Sequence, residues 1–205
     1  MPLPYMTSWR SATPRASWHA MIYNNNGDYA NAIKAYKAII ERYPHSEEAQ
    51  LAVGDLKNIY IEQGDVKAYA DYMASTSGLQ KVNSNELDTL AYTTAERFYN
   101  KRELDNAKAK FQEYLAEFKE GAFRLNSHYY LGLIQHHEKD YSAAIGNLEA
   151  VISYPDNKFR EEALIRAGEI YFHTKEYNKA IETFKKVINV TLDDERRIIA
   201  HINII

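Results

Sequence analysis

The segment QHHEKDY, residues 135–141, contains side chains that often bind metal ions in proteins. Two adjacent histidines precede a glutamate and an aspartate, and HEKDY differs by one residue from the helical zinc motif H-E-x-x-H. Tyr141 occupies the position where that motif has its second histidine. Because adjacent helical residues point about 100° apart, His136 and His137 cannot bind one ion from one face. The sequence therefore predicts no metal site in this segment.

Other residue combinations that support catalysis are also missing from the sequence. The chain has no cysteine, which excludes thiolate metal sites and disulfides. It contains neither a glycine-rich phosphate loop nor the G-x-S-x-G motif of hydrolases. The paired acids Glu161 and Glu162 are expected at a helix start, where negative charge is favourable. We therefore expect no catalysis and no cofactor, with an α-helical enzyme as the less favoured alternative.

The composition indicates an all-α protein with a continuous core. Of 205 residues, 45% are hydrophobic, while glycine (8) and proline (5) are few. Basic and acidic residues nearly balance, at 25 and 28, which argues against nucleic acid as a partner. No run of 18 apolar residues occurs, so we expect no direct insertion into a membrane.

An internal repeat predicts the elements that carry these residues. Four stretches of the sequence share an aromatic or leucine residue three positions before an alanine and a large apolar residue four positions after it. This spacing places the apolar side chains on one face of an α-helix. A degraded copy at residues 64–74 has Tyr69 in place of the alanine. The four alanines are Ala32, Ala107, Ala144 and Ala180, at intervals of 75, 37 and 36 residues.

A second amphipathic segment precedes each copy, and the paired segments resemble the tetratricopeptide repeat, or TPR. The resemblance covers about residues 20–190, although the consensus tryptophan is absent and Gln135 replaces a consensus tyrosine. It implies an all-α, right-handed TPR superhelix, an α-α solenoid of about five helix-turn-helix repeats plus a terminal helix. The consensus L-G is matched by Leu131-Gly132, and A-x3-F by Ala107 with Phe111 and by Ala180 with Phe184.

The repeat assigns a structural place to QHHEKDY. His136 and His137 are expected to end helix A, the first helix of the fourth repeat, and residues 138–140 to form the turn. Asp140 is predicted to cap helix B, the second helix, which we expect over residues 140–153. Tyr141 then becomes a packing residue of the repeat.

The repeats also predict the organisation of the chain. We expect an irregular segment at residues 1–15, repeats 1 and 2 at 16–75, and a connecting loop at 76–84. Repeats 3 to 5 and the terminal helix follow at 85–205, so that the whole forms one continuous array. Because solenoids need polar capping helices and RRIIAHINII (196–205) is apolar on one face, we expect a piece of a longer repeat protein.

In the TPR family, the fifth, ninth and twelfth residues of helix A line a concave groove that binds a protein or peptide. Carried onto this chain, the resemblance implies an aromatic and apolar groove, although some of its tyrosines could instead fill the seams between helices. Arg166 and Arg97 are expected to flank the groove rather than line it. The implied groove residues are Tyr92, Glu96, Tyr99, Tyr129, Leu133, His136, Ile165, Glu169 and Phe172.

Two segments resemble a particular subgroup of the family. RYPHSEEAQ and SYPDNKFREEAL join a Tyr-Pro pair to an acidic helix start, as in TPR proteins of the bacterial cell envelope, including large multi-repeat proteins of Bacteroidetes. This resemblance implies a periplasmic or cell-envelope location. The N-terminal sequence MPLPYMTSWR lacks the apolar core of a signal peptide, so the expected location depends on the resemblance alone.

These observations favour a non-catalytic scaffold that mediates protein–protein interactions through its groove, and the subgroup resemblance implies a role in cell-envelope assembly. The alternative is a structural spacer or oligomerisation module, in which the C-terminal helix mediates self-association. Its apolar residues are Ile198, Ile199, Ile202 and Ile204.

Overall fold

A computed structural model of the protein describes residues 9–204, with side chains described from residue 16 onward. Within this range all regular structure is helical, which confirms the predicted all-α fold. No helix in the described range is long and apolar enough to cross a lipid bilayer. The helices are α1 (Trp9–Asn25), α2 (Tyr29–Arg42), α3 (Glu47–Gln63), α4 (Val66–Ser75), α5 (Ser84–Asn100), α6 (Leu104–Glu117), α7 (Arg124–His137), α8 (Tyr141–Ile152), α9 (Arg160–His173), α10 (Tyr177–Val190) and α11 (Asp194–Ile202).

The first helix begins earlier than the sequence predicted. Residues 1–15 were expected to be irregular, whereas α1 starts at Trp9 and residues 1–8 lie outside the described range. The segment WRSATPR has no apolar period, and its proline favours a later helix start. Apolar periodicity reports which face of a helix is buried, so its absence does not exclude a helix.

The chain divides into two compact units inside α5, between Thr94 and Ala95. The first unit contains α1 to α4 and the start of α5, and the second contains the end of α5 and α6 to α11. Residues 76–83 connect α4 to α5, close to the loop expected at 76–84. The division between the units therefore lies beyond that loop, within a continuous helix.

In each unit, consecutive helices pair and stack as in an α-α solenoid. In the first unit, α1 contacts both α2 and α3. In the second unit, α7 contacts α6, α8 and α9, while α9 contacts α8 and α10. Helices A therefore lie beside one another, as α1 does beside α3 and α7 beside α9. The repeated alanines are all buried, at 2% exposure or less: Ala32, Ala107, Ala144 and Ala180.

Small residues allow helices A and B of one repeat to approach closely. A small residue lies twelve positions before the helix-B alanine in four repeats. A Cβ atom added at Gly132 would lie 2.7 Å from Leu148, and one at Gly168 would lie 2.7 Å from Phe184. Neither glycine has room for a side chain, because the helix-B residue occupies that space. The four small residues are Ala20, Ala95, Gly132 and Gly168.

The turn at QHHEKDY has the predicted structure. Helix α7 ends at His137 and α8 begins at Tyr141. The Asp140 carboxylate accepts a hydrogen bond from the Ala143 backbone N–H at 3.2 Å, which confirms its role as N-cap. Asp28 and Asp65 cap α2 and α4 in the same way. The segment that resembles a zinc motif is therefore a helix end, a turn and a cap.

Candidate protein-interaction surface

The candidate surface in the second unit is formed by neighbouring helices A. Residues 95–100 of α5, together with α7 and α9, place half-buried side chains on one side of this unit. We call this surface the A-helix face. Its members among the predicted groove residues are Glu96, Tyr99, Tyr129, Leu133, His136, Ile165 and Glu169, all of which are half-buried.

The other two predicted groove residues, Tyr92 and Phe172, are not half-buried. Tyr92 belongs to the first unit and is only 4% exposed, so it is not part of the A-helix face of the second unit, and its place in a groove stays a prediction. Burying a tyrosine ring is strongly favourable, which suits the alternative that some tyrosines pack between helices. Phe172 is 55% exposed near the end of α9, where its ring packs edge-on against Tyr177 at 5.8 Å.

Aromatic rings form one part of the A-helix face. The ring of Tyr130 lies 4.7 Å from that of Tyr99 and stacks on Phe111 at 5.3 Å. Tyr129 stacks on Phe159, with ring centroids 4.3 Å apart. The Tyr130 hydroxyl donates a hydrogen bond to the Glu96 carboxylate at 3.3 Å. These contacts hold the rings in fixed orientations, so they can act as rigid anchors for a partner.

Burial raises the pKa of the Tyr129 hydroxyl. Removal from water raises the pKa of its hydroxyl to about 12, and the negative charge of Glu162 adds to the increase. The hydroxyl is protonated over the physiological pH range, as an ordinary tyrosine also is. A protonated tyrosine at a half-buried position can donate a hydrogen bond to a bound partner.

Charged groups form the other part of the face. The Arg166 guanidinium donates to Glu162 through Nη2 at 2.7 Å and to Glu169 through Nη1 at 3.0 Å. His136 Nε2 lies 3.3 Å from Glu169 Oε2, the oxygen that also pairs with Arg166. Burial lowers the pKa of His136, and the neighbouring Glu169 charge opposes that effect. The network is preorganised, because two carboxylates fix one guanidinium.

A surface cavity of 460 Å³ brings the two parts together. Its wall combines apolar side chains with the Arg166 network, so Arg166, which was expected to flank the groove, lines this cavity. The lining residues are Tyr99, Leu133, His136, His137, Lys139, Tyr141, Glu162 and Arg166.

A second cavity, of 260 Å³, lies one helix A further along the unit. It shares Glu162 and Arg166 with the first cavity, and its other residues come from α9, α10 and α11. The A-helix face therefore continues from α5 to α11. Its lining residues are Glu162, Ile165, Arg166, Glu169, Phe184, Val187, Arg196, Ile199, Ala200 and Asn203.

Two of the three histidines near the first cavity contact neighbouring side chains. Tyr141 stacks on His173 with ring centroids 5.5 Å apart and planes 5° from parallel. His136 faces Glu169, as described above, and His137 is exposed. Among residues 9–204, no group of three or more potential metal ligands is arranged around a common point.

Sequence analysis did not include Tyr130 or Phe159 among the groove residues, and it placed Arg166 beside the groove. Tyr130 lies fourteen residues before Ala144, and Arg166 lies fourteen before Ala180, so both occupy the same repeat position. The groove residues were assigned from the fifth, ninth and twelfth residues of each helix A, and these do not include the position of Tyr130 and Arg166. The repetition itself was visible in the sequence and could have identified it.

Comparison with known proteins supports the repeat. Family models described as tetratricopeptide repeat match residues 18–46, 92–158 and 161–194. A search of curated proteins finds no match.

Several solved structures resemble the chain at low identity. A tetratricopeptide repeat protein from Parabacteroides merdae is 16% identical, with a TM-score of 0.47 over 93% of this chain and 73% of that one. The pilF protein of Pseudomonas aeruginosa is 14% identical, with a TM-score of 0.49 over 95% and 83%. The C-terminal part of a TPR protein from Cytophaga hutchinsonii is 19% identical, with a TM-score of 0.46 over 86% and 65%.

The three family matches fall on the segments that carry the four repeated alanines. Together they cover more than half of the chain. The chain therefore belongs to the tetratricopeptide repeat family, whose members are helical scaffolds for protein–protein interaction.

Proposed function

We propose that the chain is a non-catalytic scaffold that binds a protein or peptide partner on the A-helix face of its second unit. The observation that carries this proposal is the 460 Å³ cavity, in which Tyr99 and Leu133 lie beside the fixed Arg166 network. Concave sites with apolar walls and a few oriented polar groups are the usual binding sites of proteins.

The cavity suits an apolar side chain of the partner. Tyr99 and Leu133 provide apolar contact, and burial of such a side chain contributes about 25 cal/mol per Å² of apolar surface. Arg166 pairs with both Glu162 and Glu169, and Arg196 Nη1 also lies 3.7 Å from Glu162, so each carboxylate keeps a cationic partner when a neutral segment binds. The carboxylate oxygens can also accept hydrogen bonds from the partner's backbone N–H groups. A peptide with a large apolar anchor fits these conditions.

The test is affinity capture with matched variants. A Tyr99→Ala/Leu133→Ala variant removes apolar contact from the cavity. A Tyr154→Ala/Leu192→Ala variant removes the same two residue types from exposed positions outside both A-helix cavities, at 63% and 96% exposure. Circular dichroism and melting establish that both variants are folded. We expect the first variant to lose the partner and the second to retain it, and equal capture by both would overturn the proposal.

We also propose that the chain acts in the bacterial cell envelope. The support is the resemblance of RYPHSEEAQ and SYPDNKFREEAL to the envelope subgroup of the family. Fractionation of native cells with an antibody against the chain tests this location. Recovery with the periplasmic or envelope fraction is expected, and exclusive recovery with the cytosol would contradict it.

A second candidate function is favoured by a specific observation on α11. Ile198, Ile199 and Ile202 are 59%, 57% and 63% exposed, although they are large apolar residues. Exposed apolar groups of this kind often mark contact sites. A spacer or oligomerisation module would use this surface, and changes at Tyr99 and Leu133 of the 460 Å³ cavity would not affect it.

A further inference from the structure

We propose that the second unit contains a separate site for a small organic oxyanion, a carboxylate or phosphate group joined to an apolar body. The site is a surface cavity of 610 Å³ between the loop that joins α6 to α7 and the end of α8, and we call it the loop cavity. It lies at the start of α7, whereas the 460 Å³ cavity uses Leu133, His136 and His137 near the end of that helix. The inference therefore goes beyond the proposed function and does not depend on it.

Small residues make room for the loop cavity. Four residues of its wall have a short side chain or none, and the equivalent residues of the next repeat, 36 positions later, are all longer. The space therefore belongs to this repeat and does not follow from the repeat pattern. Cavities of this volume with apolar and polar walls are typical sites for small molecules. The small residues Gly121, Ala122, Ala150 and Ser153 correspond to Asn157, Lys158, Lys186 and Asn189.

Arg124 gives the loop cavity an oriented cation. Its Nη1 donates to the main-chain oxygens of Leu115 and Phe118, both at 3.0 Å, so the guanidinium is fixed against the end of α6. These two bonds use both N–H groups of Nη1 and leave the edge formed by Nε and Nη2 for a ligand. That edge carries two parallel N–H groups, the geometry that binds a carboxylate or phosphate through two hydrogen bonds.

His128 is a polar residue at a repeat position that is otherwise apolar. It lies sixteen residues before Ala144, and the other four repeats have an apolar residue at this position. Packing of the helix pair therefore does not require a histidine here. His128 Nδ1 lies 2.8 Å from Asn147 Oδ1 of α8, which orients the ring and leaves Nε2 for a ligand. The equivalent residues are Ala16, Val53, Ala91 and Leu164.

The charge of the cavity wall favours an anion. Lys119 adds a second cation, and within residues 9–204 no carboxylate pairs with Lys119 or Arg124. Glu120 is the one acid of the wall and is exposed. Leu125 and the Tyr154 ring, which is 63% exposed, add apolar surface. A ligand with an anionic group on the cations and an apolar body against Leu125 and Tyr154 matches this distribution.

A chemical-shift titration with small probes tests the proposal. The probes are benzoate, phenyl phosphate and, as a neutral analogue, benzyl alcohol, each added to the whole isotope-labelled chain. We expect at least one of the anions to give saturable shifts in the backbone amides of residues 119–128 and 150–154, with a dissociation constant below about 10 mM. Benzyl alcohol should leave these amides unshifted over the same range. The anion that binds more tightly identifies the head group as a carboxylate or a phosphate.

Matched arginine variants separate binding from capping. Arg160, the equivalent of Arg124 in the next repeat, also donates to a carbonyl that follows a helix B, that of Pro155 at 3.1 Å, but it does not line the loop cavity. Arg124→Gln should weaken binding of the anion by roughly tenfold or more, because a charged bidentate contact is lost, whereas Arg160→Gln should bind like the wild type. His128→Leu, which introduces the residue of the next repeat, should stay folded and also bind more weakly.

Three results would overturn the proposal. Neither anion could bind with a dissociation constant below that value, benzyl alcohol could shift the same amides equally, or Arg124→Gln and Arg160→Gln could lose binding to the same extent. Lys119→Gln, at an exposed position, should also weaken binding and replaces Arg124→Gln if circular dichroism shows that variant to be unfolded. Capture of the partner of the A-helix face should be unchanged in Lys119→Gln, which separates this test from that of the proposed function.

Discussion

At the scale of single residues, the segment QHHEKDY resembles a metal-binding motif in sequence. In the structure it forms the turn between helices A and B, and this turn requires a left-handed backbone conformation at one residue. In five repeats, the residue immediately before the N-cap position of helix B has a positive φ. Two of these residues are glycines, which adopt this conformation without strain. Lys139 of QHHEKDY has φ 63° and occupies the equivalent position. The five residues are Gly27, Gly64, Arg102, Lys139 and Lys175.

The left-handed conformation at Lys139 predicts a stabilising substitution. Lys139→Gly removes the steric cost of this conformation, roughly 1–2 kcal/mol for a residue with a Cβ atom. Part of the gain is offset by the greater freedom of glycine in the unfolded chain. We expect urea denaturation to show a net gain of about 0.5–1 kcal/mol in the free energy of unfolding. Lys185→Gly, in the exposed middle of α10, should instead lose about 1 kcal/mol, and an equal loss in both variants would contradict the prediction.

Burial of His136 predicts a dependence of stability on pH. The pKa of this histidine is lowered in the folded protein, chiefly by burial, while Glu169 opposes the effect and Arg166 and His173 add to it. The unfolded chain therefore binds more protons between the folded pKa and about 6.5, and stability falls as the pH decreases through that range. His136→Gln should show a smaller loss of melting temperature on acidification. An identical pH profile in the two proteins would exclude this contribution.

At the scale of elements, the alanine repeat was sufficient to predict the helices B. Helix α8 was expected at residues 140–153 and occupies Tyr141–Ile152. In four repeats the prediction succeeded because the seam between helices A and B holds a small helix-B residue, and that requirement leaves a strict pattern in the sequence. In α4 the same place is taken by Tyr69, which is buried. Helix α1 lacked such a pattern over its first residues, so its start at Trp9 was not predicted.

The candidate site was harder to predict than the helices. Tyr92, Tyr129 and Ile165 each lie fifteen residues before the helix-B alanine of their repeat. Tyr92 is nevertheless buried, whereas the other two are half-buried. Repeat position determines the direction of a side chain, whereas its exposure depends on the size and orientation of neighbouring side chains. The place of Arg166 in the cavity wall also depends on neighbouring side chains, because Glu162 and Glu169 fix its guanidinium.

The close approach of helices α7 and α8 gives a prediction with a control in the same repeat. A Cβ atom at position 132 would lie 2.7 Å from Leu148, so Gly132→Ala should destabilise the protein by about 1–3 kcal/mol through overpacking. A Cβ atom at position 146, also helical, has no neighbour within 4 Å. Gly146→Ala should therefore stabilise the protein by up to about 1 kcal/mol. Chemical denaturation distinguishes these signs, and a stabilised Gly132→Ala variant would show that the seam can expand.

At the scale of the whole molecule, stability should arise from contacts between neighbouring elements. The second unit contains separate apolar clusters, one between α8 and α9 and another among α9, α10 and α11. In repeat proteins, each repeat is stabilised chiefly by its immediate neighbours. Damage to one repeat should then spread over a limited distance along the chain, instead of unfolding every helix equally.

Ala144→Glu tests both the repeat register and this local cooperativity. Ala144 is 0% exposed and packs with Leu148 and Ala163, so a carboxylate there would be buried without a partner. Hydrogen exchange should show lost protection in α7, α8 and α9, with α1 to α3 retaining more of theirs. Ser142→Glu, at an exposed position of the same helix, should leave the exchange pattern unchanged. Unchanged melting of Ala144→Glu would refute the repeat register, whereas uniform loss of protection in all helices would show that the array unfolds as a single cooperative unit.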